Sequence, residues 1–216
     1  MERILAKMDK QHWTLILASG SPQRSALLAE AGYRFDVVTP GLNAECGICS
    51  QETPGEMVAR LACQKAADVA DRLARDGSRP ADKLPRNASA PVLIVACDTV
   101  GECLGRILGK PKDREHARAM LELLSGREHR VYSGLCLRPL GAGQPHVRVA
   151  RTTLRMDSLA AEQIEEYLAS GLWEGKAGAF GLQDRPGWLH IVEGSESNVI
   201  GLPMELLEAM LAEAAN

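Results

Sequence analysis

The apolar run Pro91–Cys97, which reads PVLIVAC, constrains the fold more than any other segment. It is far shorter than the ~20 apolar residues of a membrane span. An apolar run without polar alternation is typical of a central strand that is covered on both faces. Together with the mixture of strand and helix patterns along the chain, this predicts an α/β or α+β layered fold, in which helices flank a twisted, mixed sheet; we take α/β as the fold class.

Segments with strand and helix periodicity occur on both sides of this run. The strand predictions are 14–18, 35–38, 91–97, 129–138, 147–157 and 188–192, of which 129–138 and 147–157 suit a long antiparallel pair. Helices are predicted to begin at cap residues or at proline in the first turn, namely Ser21-Pro22, Thr53-Pro54, Asp113, Ser158 and Pro203. The second of these helices is expected to reach about Leu73.

The stretch 72–90 is rich in proline, glycine, serine and charge, which is typical of a solvated loop. It stands between a helix pattern and the strongest strand pattern. We therefore interpret 74–90 as a loop insertion rather than a domain boundary, and predict that 1–216 is a single domain with two lobes. A chain of 216 residues is long enough to bury its own core.

Composition argues against several classes of partner. A net charge of −3 and an aromatic content of 4 % do not suit a nucleic-acid-binding protein.

Residues 1–13 are charged and polar, so we expect neither a signal peptide nor a membrane segment. We therefore expect a cytoplasmic location. Cys46 and Cys49 have metal or redox spacing, but no second such pair accompanies them, and we expect them not to form a zinc or redox site.

The turn from Ser19 to Arg24 is the first candidate site. A strand leads through Ser19-Gly20-Ser21 directly into a helix start, where free N–H groups and the helix dipole favour phosphate. Arg24 and the two hydroxyls add donors. Ordinary capping of the helix is the structural alternative, and it explains Ser21-Pro22 equally well.

Three further segments carry groups that packing alone does not explain. Asp98 follows the central strand, at the sheet edge where α/β sites gather, and it can accept a proton or hold a metal. Segment 105–111 lacks the spacing of a Walker P-loop, yet Lys110 can contact phosphate as a point charge. Segment 175–183 is rich in glycine and ends at Gln183, whose amide can read a base. Each has a structural alternative: a turn cap, a solvated lysine and a flexible loop. Together they suit a nucleoside triphosphate and a divalent cation.

Seven motifs occur in order along the chain, namely LASGSPQRxxLL at 17–28, RLAxxKA at 60–66, DTV at 98–100, GKP at 109–111, LSGRxHxVYSG at 124–134, GKAGAFGLQ at 175–183 and VIGLP at 199–203. In this combination the chain resembles the Maf family of nucleoside triphosphate pyrophosphatases. The resemblance implies two lobes around a nucleotide cleft. It also implies hydrolysis between the α and β phosphates, a divalent cation that is usually Mg²⁺, and frequent homodimers.

The resemblance also implies roles for individual residues. Asp98 matches the proton acceptor, and Lys110 is placed with it at the catalytic centre. The residues expected to bind substrate are Ser19, Ser21, Arg24, Lys65 and Gln183. The metal ligands are expected to be Asp98 and, where the family has an acidic cluster, Glu45.

Base choice follows from three positions, Gln23, Thr99 and Gln183. Thr99 and Gln183 resemble the branch of the family that prefers dTTP and UTP. Gln23 departs from it, because that branch has arginine there and the branch that prefers 7-methyl-guanosine triphosphate has tryptophan. We predict a preference for pyrimidine triphosphates, broadened by Gln23. A nucleotide-binding regulator of cell division without turnover remains the alternative.

Overall fold

The computed structural model describes residues 13–41, 44, 51–76, 92–141, 143–184 and 187–215, without the side chains of residues 76 and 183. The strands are β1 (Thr14–Leu17), β2 (Phe35–Val37), β3 (Val92–Cys103), β4 (Arg106–Leu108), β5 (Glu128–Pro139), β6 (His146–Met156) and β7 (Leu189–Glu193). The helices are α1 (Pro22–Glu30), α2 (Pro54–Asp76), α3 (Arg114–Leu124), α4 (Ala161–Ala169), α5 (Glu196–Ile200) and α6 (Met204–Ala214).

The described strands form one sheet in the order β2-β1-β3-β5-β6-β7, and β4 pairs with the far end of β3. β1 is parallel to both β2 and β3, whereas β3, β5, β6 and β7 are successively antiparallel. The prediction of a mixed sheet with flanking helices is confirmed. None of the described helices has the length and apolar character needed to cross a bilayer.

The central run is covered on both faces, as its composition predicts. Leu93 and Val95 pack with Leu207 and Met210 of α6 on one side of the sheet. The intervening residues of β3 point to the other side, where Ile94 and its neighbours pack with α2. α2 contributes Ala62, Ala66 and Val69 to that contact, and its small side chains let the helix lie close to the sheet.

β3 is longer than predicted, and this changes where Asp98 lies. The prediction ended the strand at Cys97, but β3 continues to Cys103 because its second half pairs with β5 and with β4. The parallel pairing of β1 with β3 ends at Leu17 opposite Val95. Asp98 therefore lies inside β3, three residues beyond the parallel part of the sheet, and not at the end of a strand.

The core is divided between the two ends of β3. Near the start of β3 lie the clusters formed with α2 and α6, and near its end Cys103 packs with α3 and α4. α3 contributes Leu121 and Leu124, and α4 contributes Ile164 and Leu168. The described core therefore has one part at each end of β3.

Gly134 of β5 allows α2 to approach the sheet beside Asp98. The two residues pair directly across β3 and β5. A Cβ atom on Gly134 would lie 2.2 Å from the backbone oxygen of Val58 in α2, so that any side chain there would push the helix outward. Val58 and Lys65 are seven residues apart on α2, and therefore lie on the same face of the helix.

Several boundaries differ from the sequence predictions. α2 extends to Asp76, three residues into the predicted loop 74–90, and residues 77–90 lie outside the described residues. α4 begins at Ala161 rather than Ser158. β4, with 3 residues, and α5, with 5 residues, were not predicted. The capping predictions at Ser21, Thr53 and Asp113 are confirmed by side-chain hydrogen bonds at each helix start.

Candidate functional site

A cleft of about 650 Å³ opens beside the β1–α1 turn, where β1, α2, β3 and the segment before α6 meet. Its lining includes eight of the residues that the sequence singled out, namely Ser19, Ser21, Gln23, Arg24, Lys65, Asp98, Thr99 and Lys110. They come from positions up to 91 residues apart, between Ser19 and Lys110, and the fold brings them to one surface.

Lys65 of α2 and Asp98 of β3 form an ion pair at the floor of the cleft. Lys65 Nζ lies 2.5 Å from Asp98 Oδ1, and the two side chains are 6 % and 12 % exposed. Removing two charges from water costs several kcal/mol for each ion, so a buried pair is weak evidence of a stabilising role.

Arg24 joins three parts of the cleft wall. Its Nε donates to the backbone oxygen of Gly201 at 2.8 Å, and Nη1 donates to Ser19 Oγ at 3.2 Å. Nη2 donates to Thr99 Oγ1 at 3.3 Å. Arg24 therefore ties α1 to β3 and to the end of α5, and it also brings a positive charge to the cleft.

The two serines of the turn have different positions. Ser21 is the N-cap of α1, where its Oγ accepts from the Arg24 N–H, and it also donates to Gln23 Oε1 at 3.0 Å. Ser19 is buried, and its Oγ accepts from the Ser21 N–H at 3.1 Å. Capping of α1 by Ser21 therefore does not exclude a phosphate site at the same helix N-terminus, because that end of the helix faces the cleft.

Thr99 lies on the cleft wall above a buried polar network. Its Oγ1 lies 2.8 Å from Ser133 Oγ and 3.3 Å from the Gly201 oxygen. Asn198 continues the network, since its backbone oxygen accepts from Ser133 and its Nδ2 donates to Thr152. The structure thus places the Thr99 hydroxyl among protein partners.

Cys97 contributes packing rather than reactivity. Burial raises the pKa of its thiol above the usual range, and the charge of Arg24 acts in the opposite direction. The thiol donates to the Gly201 oxygen, with Sγ at 3.2 Å. That oxygen therefore receives hydrogen bonds from Arg24, Cys97 and Thr99, and it anchors the chain between α5 and α6 to the floor of the cleft.

A second group of cleft residues comes from the loop after β4 and from the loop after α4. Lys110 follows β4 and is exposed, while Glu174 and Lys176 lie in the later loop. The Gly178 N–H donates to the Gly109 oxygen at 3.0 Å, which joins the two loops. Lys176 Nζ lies 2.5 Å from Asp184 Oδ1, and the Tyr167 hydroxyl donates to Asp184 Oδ2 at 2.6 Å.

Two predicted residues are not placed by the structure. The backbone of Gln183 lies in the short 3₁₀ turn Leu182–Asp184, and its side chain is outside the described part of the chain. Glu45 also lies outside the described residues, as do Cys46 and Cys49. Their predicted roles therefore remain predictions.

The carboxylates of the cleft fit a loosely held divalent cation rather than a protein cage. Among the described residues, no group of three or more His, Cys, Asp or Glu side chains is placed to hold a metal. Asp98 and Glu174 are the described carboxylates that line the cleft. Mg²⁺ usually keeps several waters and takes one or two carboxylates together with substrate phosphates, so this donor set is sufficient for it.

Sequence reasoning missed several groups that build the site. The Gly201 oxygen is a backbone atom, so its role as an acceptor cannot be inferred from the residue type, although Gly201 lies within the VIGLP motif. Lys176 was part of the glycine-rich segment but was not chosen as a site residue. The Lys176–Asp184 contact spans eight residues across two turns, and neither helix nor strand periodicity predicts such a pair.

Comparison with known proteins gives consistent matches over most of the chain. A family model described as Maf-like protein matches residues 14–214. The dTTP/UTP pyrophosphatase of Rhodopirellula baltica is 51 % identical over 199 residues, which cover 92 % of this chain and 81 % of the relative. The proteins of the same name from Agathobacter rectalis and Brucella abortus are 37 % and 38 % identical, covering 89 % and 95 % of this chain and 93 % of each relative. The solved structure of the Staphylococcus aureus Ham1 protein aligns with a TM-score of 0.48 at 13 % identity, covering 93 % of this chain and 99 % of that one.

Proposed function

The chain belongs to the Maf-like protein family, and we propose that it is a nucleoside triphosphate pyrophosphatase that acts on dTTP and UTP. The products are the nucleoside monophosphate and pyrophosphate. The buried Lys65–Asp98 pair carries this proposal, because it places a carboxylate at the floor of a cleft that is otherwise rich in anion-binding groups. The names of the relatives support the substrates.

The phosphate chain is proposed to bind between the α1 N-terminus and the loop after β4. The first turn of α1 offers the backbone N–H of Gln23 and the positive end of the helix dipole, since Pro22 has no N–H and that of Arg24 is bound by the Ser21 cap. Ser19, Ser21 and Arg24 stand at that end of the cleft, and Lys110 supplies a second charge from the loop. A fork of guanidinium donors and a point charge together suit a polyanion longer than one phosphate.

Asp98 is proposed to be the general base. Its Oδ1 is held by Lys65, which fixes the orientation of the carboxylate. Oδ2 then takes a proton from a water molecule, and the water oxygen forms a bond to the α-phosphorus. The bond between that phosphorus and the oxygen bridging to the β-phosphorus breaks, and pyrophosphate leaves with the bridging oxygen. A positioned base contributes about 10²- to 10⁴-fold in rate.

A divalent cation, proposed to be Mg²⁺, fits the donor set of the cleft. Asp98 and oxygens of the phosphate chain would hold it, and Glu45 is proposed as a further ligand. When bound, it supplies positive charge that offsets the charge of the phosphate chain. Lys65, Arg24 and Lys110 do the same from the protein side.

The base is proposed to be selected by Gln183, with Gln23 and Thr99 shaping its surroundings. An amide offers one donor and one acceptor side, which matches the edge of uracil or thymine. Gln23 lines the cleft beside Ser21, in contact with the helix cap. The family resemblance further supports a homodimer, which gel filtration tests. A cytoplasmic location is also proposed, which cell fractionation tests.

The decisive test of this function is pyrophosphate release from a panel of purified nucleoside triphosphates with Mg²⁺. We expect the highest kcat/KM for dTTP or UTP, with monophosphate formed in equal amounts. Nucleotide binding without pyrophosphate release would instead favour a non-catalytic regulator. Release of orthophosphate and a nucleoside diphosphate would exclude the proposed cleavage position.

A further inference from the structure

A hydrogen-bonded chain of three side chains leads from the core cluster of α3 and α4 to the cleft. The Tyr167 hydroxyl of α4 donates to Asp184 Oδ2 at 2.6 Å, and Asp184 Oδ1 lies 2.5 Å from Lys176 Nζ. Both carboxylate oxygens of Asp184 are thus engaged, one by each neighbour. Lys176 lines the cleft, whereas Tyr167 and Asp184 do not.

Burial makes this arrangement specific. The Asp184 side chain is 5 % exposed and that of Lys176 is 16 % exposed. Tyr167 is buried at the α4 face, where its ring packs edge-on against Trp188 with 5.4 Å between the ring centroids. Because the tyrosine ring is fixed by packing, its hydroxyl defines where the Asp184 carboxylate lies, and the carboxylate in turn defines where the ammonium of Lys176 lies.

The loop that carries Lys176 is also attached to the loop that carries Lys110. The Gly178 N–H donates to the Gly109 oxygen, two residues from one lysine and one residue from the other. Gly178 has a φ of +73°, and a Cβ there would lie 2.9 Å from the Phe180 ring, so this turn requires glycine. This hydrogen bond therefore joins the two loops that carry Lys110 and Lys176 to the cleft.

We propose that Tyr167, acting through Asp184, is a positioning residue that holds Lys176 for contact with the phosphate chain of the nucleotide. This rests on the proposed function, and it extends the phosphate-binding set from Lys110 to Lys176. The ammonium has two N–H donors beyond the one used by Asp184, and an anionic oxygen is the ligand that suits them. Burial and the neighbouring carboxylate both raise the pKa of Tyr167, so the hydroxyl keeps its proton and remains a donor.

The first test compares Tyr167→Phe with Tyr132→Phe. Each removes one hydroxyl and keeps the ring, but Tyr132 lies on β5 and is not part of the cleft lining. Loss of one positioning hydrogen bond should raise KM for dTTP about 2- to 10-fold in Tyr167→Phe and leave kcat within about twofold. Tyr132→Phe should change neither. A lowered melting temperature with an unchanged KM would overturn the proposal, because it would show a structural role alone.

A double-mutant cycle tests whether Tyr167 acts through Lys176. Lys176→Met should raise KM about tenfold or more, and adding Tyr167→Phe to it should produce no further increase. If Tyr167→Phe raises KM by the same factor with and without Lys176, the two residues act independently and the proposal is wrong.

Binding of a non-hydrolysable analogue separates this inference from the proposed function. The probe is 2′-deoxyuridine triphosphate with an imido bridge between the α and β phosphates, measured by calorimetry in the same variants. The same non-additive pattern should appear in Kd. If the wild-type protein binds the probe but releases no pyrophosphate from any nucleotide, the proposed function is wrong. The Kd values of the variants then decide on their own whether Tyr167 positions Lys176.

Discussion

Lys65 Nζ lies 2.5 Å from Asp98 Oδ1, and this contact joins a helix to the central strand at the floor of the cleft. The two residues are 33 positions apart, and the helix reaches the sheet there because Gly134 leaves room for it. Hydrophobic residues of similar volume often replace a buried ion pair without loss of stability. We therefore interpret the pair as part of the chemistry of the cleft.

Asp98→Asn should reduce pyrophosphate release about 10²- to 10⁴-fold, because the amide keeps the shape of the side chain but cannot take the proton. Asparagine still offers Lys65 an oxygen acceptor, so the fold should persist. Asp98→Ala should also lose activity, and it should lower the melting temperature more, since it removes the carboxylate that faces the buried ammonium of Lys65. Activity of Asp98→Asn above about a tenth of wild type would show that Asp98 is not the base.

Lys110→Ala should weaken binding of a triphosphate much more than binding of the matching monophosphate. A charge-assisted hydrogen bond contributes about 1.5–3 kcal/mol, and the proposed partner of Lys110 is a β or γ phosphate. Lys112→Ala is the matched control, because Lys112 is exposed on the same loop and does not line the cleft. Equal losses for both ligands in calorimetry would move Lys110 out of the phosphate site.

Gln23→Arg should sharpen the preference for dTTP and UTP, because a guanidinium fork is more selective than an amide. Gln23→Trp should raise turnover of 7-methyl-guanosine triphosphate, since an indole can stack on a cationic base. Ala29→Arg adds the same charge to the exposed end of α1 and should leave the substrate ranking unchanged. The measurement is kcat/KM across a nucleotide panel. A wild-type enzyme that already prefers the methylated purine would contradict the assignment to the pyrimidine branch.

His129 should make the protein less stable in acid. Burial lowers its pKa from 6.5 to about 4, despite the opposing effect of its contact with the Arg127 oxygen. The unfolded chain binds a proton below about pH 6.5 and the folded chain does not, so stability is complete above pH 6.5 and falls as the pH drops towards 4. The full loss is about 3 kcal/mol.

The variant His129→Leu tests this assignment, with denaturant unfolding measured between pH 4 and 7. In His129→Leu, the free energy of unfolding should fall less between pH 7 and pH 4 than it does in the wild type. In the variant His146→Leu, which changes an exposed histidine, it should fall as in the wild type. An unchanged slope in His129→Leu would mean that other groups cause the loss of stability in acid.

Residue patterns predicted the layers of the fold well, because they depend on local chemistry. The run Pro91–Cys97 predicted a strand covered on both faces, and the cap at Ser21 predicted where α1 begins; both are confirmed. The predicted length of β3 was wrong, because the second half of the strand is stabilised by pairing with β5. Pairing between strands is not visible in a local sequence pattern. Asp98 was therefore expected at a strand end and lies within one.

The site could be predicted as a set of residues but not as a set of contacts. Ser19, Arg24, Asp98 and Lys110 all line one cleft, as the motifs implied. That Arg24 donates to the Gly201 oxygen could not be predicted, since the partner is a backbone atom 177 residues away. The roles of the residues remain proposals, which the variants above test one at a time.

The position of the cleaved bond is best measured by hydrolysing dTTP with Mg²⁺ in water enriched in ¹⁸O and determining the masses of the products by mass spectrometry. Attack at the α-phosphorus, with Asp98 taking the proton, predicts one ¹⁸O atom in dTMP and none in pyrophosphate. Label in the pyrophosphate, or products that are dTDP and orthophosphate, would contradict the proposed reaction.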